Sequence, residues 1–394
     1  MKLVISRTLL SIILTIGSYP NHEVSALRAP YSPAPNHITI PPSLNDKRHS
    51  APIQCEHFGT CPGCLTDSHV TKIPIVESAS LYFNSASVQK STLYPSSDFY
   101  KTVIPSEVDQ WRTQAKLAVA PKSTWGRDGC IFGLYQRKSH TVVPIPNCVV
   151  HHPSINRAVE VLTQATAKVG TQSFREDGRD SDNGGRGGGL RYVQLSVERM
   201  TGKVALTLVW NAEQLKDAQP GLSRLIKECK RLDPKLWHSV WGHTNANLGN
   251  AIFARGERNW HPIDGPEFVR EPIPGTDLEN KEGLLHFSPM AFRQGNMDGF
   301  EAIALHVAKG VPPGAKVCEL YAGVGLLGLT ALTYHAKEGL NGGKEETETD
   351  EDWWGSEDMD MNRGEDIREP LKWVKCSDEN PANPRCFNRS VNTV

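Results

Sequence analysis

Between Trp111 and Val150 apolar and polar positions alternate over the short runs WRTQAKLAVA, GCIFGLYQ and HTVVPIPNC, and Gly and Pro interrupt them. That pattern predicts short strands joined by tight turns. The period then changes. Ile155, Ala158, Val159, Val161 and Leu162 recur at helical spacing behind Ser154, which predicts a helix over 154–169 with Ser154 as its cap. The segments LRYVQLSVE and KVALTLVW alternate apolar with polar residues and predict strands, and PGLSRLIKECKRL predicts a helix between them and the next strand. The middle of the chain therefore reads as mixed α+β, with no internal repeat. Further on, VCELY predicts a buried strand leading through Ala322-Gly323-Val324-Gly325 into the helix LLGLTALTYH. LKWVKCSD predicts a second strand, and PANPRCFNRSV a helix after it.

Two stretches carry no such pattern. Residues 176–189, EDGRDSDNGGRGGG, cannot build a core and are expected to form a mobile insertion. Residues 335–370 hold 13 acidic and 4 basic side chains, far exceed the usual αβ loop of about 2–6 residues, and would repel RNA. Trp353 and Trp354 inside them read as partner-binding or solvent-exposed, since acidic neighbours disfavour base stacking.

At the N-terminus, Lys2 and Arg7 flank the apolar stretch Leu9 to Ile16, and small residues at 24–26 offer a cleavage site, so residues 1–26 fit a secretory signal. Residues 27–50 are rich in Pro and Ser and resemble a transit peptide. Signal plus transit sequence resembles the two-part leader of proteins bound for complex plastids; a secreted protein or another organelle is the alternative.

Composition adds modest constraints. The 394 residues suffice for two or three domains. At 38% hydrophobic and 22% charged, with no apolar run of about 18 residues, the chain reads as soluble and no membrane is expected as a partner. The net charge of −1 hides a split, because the chain outside 335–370 carries +8. A mildly basic body is compatible with a polyanionic partner and equally with an ordinary solvated surface.

Cysteine is more informative. Nine cysteines, three of them within QCEHFGTCPGC, suit a disulfide scaffold of this length poorly and favour a compartment that keeps thiols reduced. Cys55, Cys61 and Cys64 bring three soft thiolates within reach of one centre, and Gly63 lets the backbone fold tightly. Cys148 is the best fourth donor, between a strand and a helix start, with Cys130 the runner-up. Spacing alone leaves an iron-sulfur cluster and zinc both open, and free buried cysteines remain the bland reading. Cys229, Cys318, Cys376 and Cys386 read as core or helix residues.

The turn after VCELY suits a nucleotide-type cofactor, because glycine lets a ligand approach the backbone. Asp378, ending the second strand, stands where a carboxylate can accept hydrogen bonds from ribose hydroxyls. No third glycine is expected at dinucleotide spacing, since the run GVGLLG ends in Gly328 but begins after an acidic residue and a tyrosine, a combination that suits S-adenosylmethionine better than NAD.

Four motifs in order, QCEHFGTCPGC, the stretch from AKLAVAPKSTW to NRAVEVL, FSPMAFRQGNMDGFEAI and VCELYAGVGLLGL, resemble the uracil-5 RNA methyltransferases that carry an iron-sulfur cluster. The resemblance spans roughly residues 50 to 394 apart from the insertions. It implies an α+β central domain with a four-iron four-sulfur cluster on Cys55, Cys61, Cys64 and Cys148, followed by an incomplete α/β Rossmann-like methyltransferase domain. The boundaries expected on this basis are 51–285 and 286–394. It further implies that Gln294, Tyr321, Gly323 and Gly325 meet S-adenosylmethionine, with Asp378 on its ribose, and that Phe292 and Asn296 shape their loop.

Two departures are visible. Residues 27–50 are too short and proline-rich for the oligonucleotide-binding barrel found in several relatives. In this family a cysteine thiolate adds to carbon-6 of uracil and a carboxylate later removes the carbon-5 proton, and both groups lie beyond the second cofactor strand, where this chain stops. A truncated product or incomplete gene is expected, with no catalytic residue present and two strands too few to fold well alone. The functional expectation is methylation of uridine carbon-5 in ribosomal or transfer RNA by the full-length form, as a monomer. The alternative is a non-catalytic, cluster-carrying RNA-binding module.

Overall fold

The computed structural model describes residues 2–5, 12–16, 55–64, 78–79, 81–82, 109–122, 129–174, 189–247, 249, 251–276, 283–341, 370–378, 380 and 382–393. The leader at 27–50, the insertion through residue 188, and residues 342–369 with Trp353 and Trp354 lie outside them. The chain divides into two compact units. The first comprises Val24–Val269 with Gln294–Gly299; the second comprises Met1–Glu23, Arg270–Arg293 and Phe300–Val394. The division falls at 269/270 instead of 285/286. β10 (Val269–Pro272) and β11 (Leu284–Phe287) pair with each other, which ties the intervening chain to the second unit.

The strands of the first unit are β3 (Gln114–Pro121), β4 (Cys130–Tyr135), β5 (Val142–Pro144), β6 (Leu190–Glu198), β7 (Lys203–Trp210), β8 (Trp237–Thr244) and β9 (Trp260–Asp264). They form one sheet in the order β5-β4-β3-β6-β7-β8-β9, antiparallel except between β7 and β8. That parallel pair needs a crossover, which α2 (Gly221–Leu232) supplies. Its Leu222, Leu225, Ile226 and Cys229 are buried at helical spacing. α1 (Pro153–Val169) buries Ile155, Ala158, Val159, Val161, Leu162 and Ala165. The core lies between these helices and Leu117, Val193, Leu195, Leu206 and Leu208 of the sheet. Burial of one such leucine contributes about 2 kcal/mol.

One expectation is corrected here. The cap of α1 is His152, whose Nδ1 accepts from the Ser154 amide at 3.2 Å, with Pro153 in the first turn, where its missing N–H costs nothing. The Ser154 hydroxyl instead donates to the Gly202 carbonyl at 2.6 Å and ties the helix start to the β6–β7 turn. Alternation along β6 does not put its polar residues in water either. Gln194, Ser196 and Glu198 are buried. Glu198 meets His238 at 3.3 Å and accepts from the Thr201 hydroxyl at 2.8 Å. On that second face Ala118, Val142, Tyr192 and Val209 form an apolar cluster covered by Ile252 and Phe253.

In the second unit, β12 (Lys316–Leu320) and β13 (Trp373–Ser377) are parallel, with Leu320 opposite Ser377. α3 (Met297–Gly310) enters this unit from Phe300 onward, and α4 (Leu326–Asn341) and α5 (Ala382–Val391) complete it. The sheet has four strands, not two. β2 (Ile12–Ile16) runs antiparallel to β12, and β1 (Lys2–Ile5) runs antiparallel to β2. The free edge of β12 presents unpaired backbone donors and acceptors, and the apolar segment read as a signal satisfies them. α5 is fastened to β11 by Ser390 Oγ, which accepts from His286 N, and Thr393 Oγ1, which accepts from Leu284 N, each at 2.9 Å. Among the described residues no helix is long and apolar enough to cross a membrane.

The β4–β5 pairing depends on Gly133, where a Cβ would run into the Val143 carbonyl oxygen, which the ladder holds in place. Gly170, the left-handed cap of α1 at φ 68°, has open space instead. Gly133→Ala is therefore expected to cost more than the ~1–2 kcal/mol of left-handed strain in Gly170→Ala. Chemical denaturation of the two variants checks this; equal losses would contradict it.

Candidate functional site

Cys55, Cys61, Cys64 and Cys148 line one cavity of about 120 Å³ in the first unit. Three of them lie on the 55–64 loop, whose backbone turns on itself because Phe58 N donates to Cys55 O at 3.1 Å and Cys61 N to His57 O at 2.9 Å. Gly59, at φ 85°, permits the reversal. Gly63 donates to Cys61 Sγ at 3.4 Å, and a Cβ there would press on that sulfur and on Leu134 at 3.3 Å. The fourth sulfur comes from the core. Cys148 is buried after β5, and its carbonyl accepts from Asn156 Nδ2 at 3.0 Å and His151 N at 3.1 Å. Cys130 is absent from this cavity; it lies fully buried on β4, its thiol 3.4 Å from the Thr171 carbonyl and pushed up to about 12 by burial.

The electrostatics suit a cationic guest. Burial raises the Cys64 thiol, and Cys148, Cys55 and Cys61 raise it further, while the Arg112 guanidinium opposes them. Burial also raises Cys148, opposed by the Val150 and His151 amides that donate to it. Neighbouring thiols that hold each other protonated would ionise together once a metal neutralises them. His151, on the cavity wall, is neutral down to about pH 4 because of its burial and of Arg112, and its Nδ1 has no hydrogen-bond partner. One water needs ~10–15 Å³ of such space, so this cavity has room for a larger group. Among the described residues no group of three or more His, Cys, Asp or Glu side chains is placed to hold a metal ion.

The FRQGN run is split between the units. Gln294 is half-buried in the first, where Gly295 O accepts from Thr113 N at 2.8 Å. Asn296 shapes the loop as expected, because its Oδ1 accepts from Gly299 N at 2.8 Å in the first turn of α3. Phe292 is exposed.

Tyr321, Gly323, Gly325 and Asp378 belong to the second unit. Tyr321 takes φ 56°, uncommon for a tyrosine, and leaves its ring half exposed. Gly323 (φ 60°) has open space beside it, while a Cβ on Gly325 (φ 78°) would strike Phe387. Asp378 is more heavily engaged than a simple ribose acceptor. Its Oδ2 accepts from Gly323 N at 2.7 Å, and its Oδ1 accepts from Asn380 N and Asn383 Nδ2, each at 2.8 Å. It fixes the turn.

Two participants were undervalued in the sequence. Gly328 completes the G-x-G-x-x-G spacing, and a Cβ there would lie 2.8 Å from Cys376 Sγ and Val374 Cγ1, so it permits close helix–sheet packing. Glu319 is almost fully buried beneath the turn; its Oε2 accepts from Gly328 N at 2.8 Å, whereas its Oε1 has no partner. Burial pushes its carboxyl up to about 7, against the Gly328 amide, which lowers it.

No protein-family model matches the chain. It is 28% identical over 337 residues to an uncharacterized RNA methyltransferase of Protochlamydia amoebophila, covering 85% of this chain and 70% of that protein. Similar proteins of the same description occur in Geobacter sulfurreducens, 25% identical with 82% and 61% covered, and in Enterococcus faecalis, 22% identical with 84% and 67% covered. The chain is similar to RNA methyltransferases. It spans 61 to 70% of the length of these three relatives. Among solved structures, a Pyrococcus abyssi tRNA (uracil-54, C5)-methyltransferase in complex with S-adenosyl-L-homocysteine gives a TM-score of 0.47 at 17% identity, with 80% of this chain and 60% of that one covered.

Glu319 yields a pH prediction. Its folded pKa lies above the usual 4.5, so its contribution to stability is complete below about 4.5 and is lost as pH rises through about 7. Glu319→Gln should therefore melt higher than the unsubstituted protein at pH 8, with the advantage shrinking toward pH 5. A difference independent of pH would contradict the assignment.

Proposed function

We propose that this chain serves S-adenosylmethionine-dependent methylation of carbon-5 of uridine in RNA, transfer or ribosomal, and that Cys55, Cys61, Cys64 and Cys148 hold a four-iron four-sulfur cluster. The observation that carries the reading is that those four cysteines, three from a loop and one from the core, line a single cavity. The donor chemistry suits the group, while among the described residues no set of three or more side chains is placed to hold a metal ion. All four are soft thiols, the cavity exceeds the needs of a lone ion, and the free His151 Nδ1 gives its wall a polar atom suited to a cluster sulfide. Bound there, the cluster would offset part of the charge of the four thiolates and pin the 55–64 loop to the core. Zinc is the less favoured guest. The relatives described as RNA methyltransferases support the reaction class and the RNA partner.

On this reading Tyr321, Gly323, Gly325 and Asp378 receive S-adenosylmethionine, the methyl donor. Asp378 holds the Gly323 amide so that the turn stays open, and the exposed Tyr321 ring offers a face to the cofactor. The two-part leader supports a plastid, which keeps thiols reduced, as the compartment.

A second reading, a cluster-carrying RNA-binding module without catalysis, has one observation in its favour. Burial and Glu319 hold the Cys376 thiol far above the thiolate range, and Cys386 is fully buried, its sulfur accepting from Ser288 N at 3.3 Å. Neither thiol is set up as a nucleophile.

Protein purified without oxygen should be brown, absorb broadly near ~400 nm and contain about four iron and four sulfide per chain. Cys148→Ser should lose most of that iron. Calorimetry should show binding of S-adenosylmethionine and none of NAD. Colourless protein holding stoichiometric zinc would refute the cluster, and NAD binding in place of S-adenosylmethionine would refute the cofactor.

A further inference from the structure

The cluster cavity shares a wall with a second, larger one. Lys116 and Leu134 line both, and the second, about 540 Å³, is bounded by the β4–β5 hairpin and by Tyr192 and Ile252 from the sheet face opposite α1 and α2. The hairpin turn reads QRKSHT from Gln136 to Thr141 and contains no acidic residue. Its shape is fixed, because Gln136 N donates to Thr141 O at 2.8 Å, Ser139 N to Gln136 O at 3.1 Å and Thr141 N to Ser139 Oγ at 2.9 Å. Arg137 and Lys138 are exposed and have no ion-pair partner among the described residues.

Lys116 adds a third cation from β3. Its contacts are aromatic, with Nζ 5.2 Å from the Phe253 ring centre. The residue remains exposed, yet the surrounding walls desolvate its ammonium enough to lower its pKa. Between these cations stands Tyr135, more than a third exposed, set edge-on to Tyr192 at 6.4 Å and 80° and tilted against His140 at 6.0 Å. The two tyrosine hydroxyls lie 3.3 Å apart, which holds the ring in place. Three cations around one cavity call for an anion of more than one charge. A fixed ring beside them selects an anion that also carries a flat face, since base stacking adds to backbone attraction.

We propose that this cavity takes one nucleotide of a single RNA strand, with its base against Tyr135 and its flanking phosphates on Arg137, Lys138 and Lys116. The inference rests on the RNA reading above and assigns it a surface. It also places the bound strand directly across Lys116 from the four cysteines, so the cluster site and the strand share a structural element.

The test is fluorescence anisotropy of a labelled ten-nucleotide oligouridylate with the full chain, measured across a salt series. Arg137→Ala/Lys138→Ala should bind at least about ten-fold more weakly, and its plot of log affinity against log salt should be shallower by about 1.4, the release from two phosphates at ~0.7 each. Tyr135→Leu should weaken binding by about five-fold or more with the slope unchanged, while Tyr135→Phe restores it. Arg224→Ala/Lys227→Ala, which removes the same charge from the exposed face of α2, should bind as the unsubstituted chain does; circular dichroism verifies that every variant is folded. No binding by the unsubstituted chain would overturn the RNA reading itself. Binding that the hairpin and Tyr135 variants leave intact would overturn this assignment alone, as would tighter capture of a polyglutamate peptide than of the oligonucleotide.

Discussion

Four thiols line one cavity, and without a positive guest two of them, Cys64 and Cys148, are made harder to ionise. Burial and the other three cysteines all raise Cys64, and burial raises Cys148. Such a group gains little stability as it stands. A metal group that took the four thiolates would offset part of their charge and tie a loop with little regular structure to a core already built. The elements around Cys148 hold it in a fixed place. β5 delivers it, α1 starts just after it, and Asn156 and His151 hold its carbonyl.

In the second unit side chains hold the backbone of one turn in place. Asp378 holds the Gly323 amide, Glu319 holds the Gly328 amide, and Gly325 and Gly328 let α4 sit close to Phe387, Cys376 and Val374. A side chain at Gly323 would meet nothing, which leaves space for a ligand there. The buried acid is costly above neutral pH, and its unpartnered oxygen shows that the site is not optimised for stability alone.

Much of this was legible in the sequence wherever one face of an element was apolar and the other wet. α1 and α2 follow their helical periods closely, and the strands around Lys116, Val193 and Leu206 lie where alternation predicts them. The misreadings have physical causes. β6 is covered on both faces, so its polar residues are buried and meet partners from other segments, Ser196 with Gln114 and Glu198 with His238 and Thr201. His152 replaces Ser154 as cap because the serine hydroxyl is drawn to Gly202, a partner remote in sequence. The strand pairing of residues 12–16 with β12 depends on which sheet edge is free, and composition does not encode that. Three cysteines of the candidate centre are adjacent in the chain and stand out; the fourth is set by fold, and the cationic hairpin beside it carries no motif at all.

The most direct test of the shared centre is iron X-ray absorption on the anoxically loaded full chain. The account predicts iron surrounded by sulfur alone, with a second shell of iron neighbours. Oxygen or nitrogen in the first shell, or iron with no iron neighbour, would contradict it.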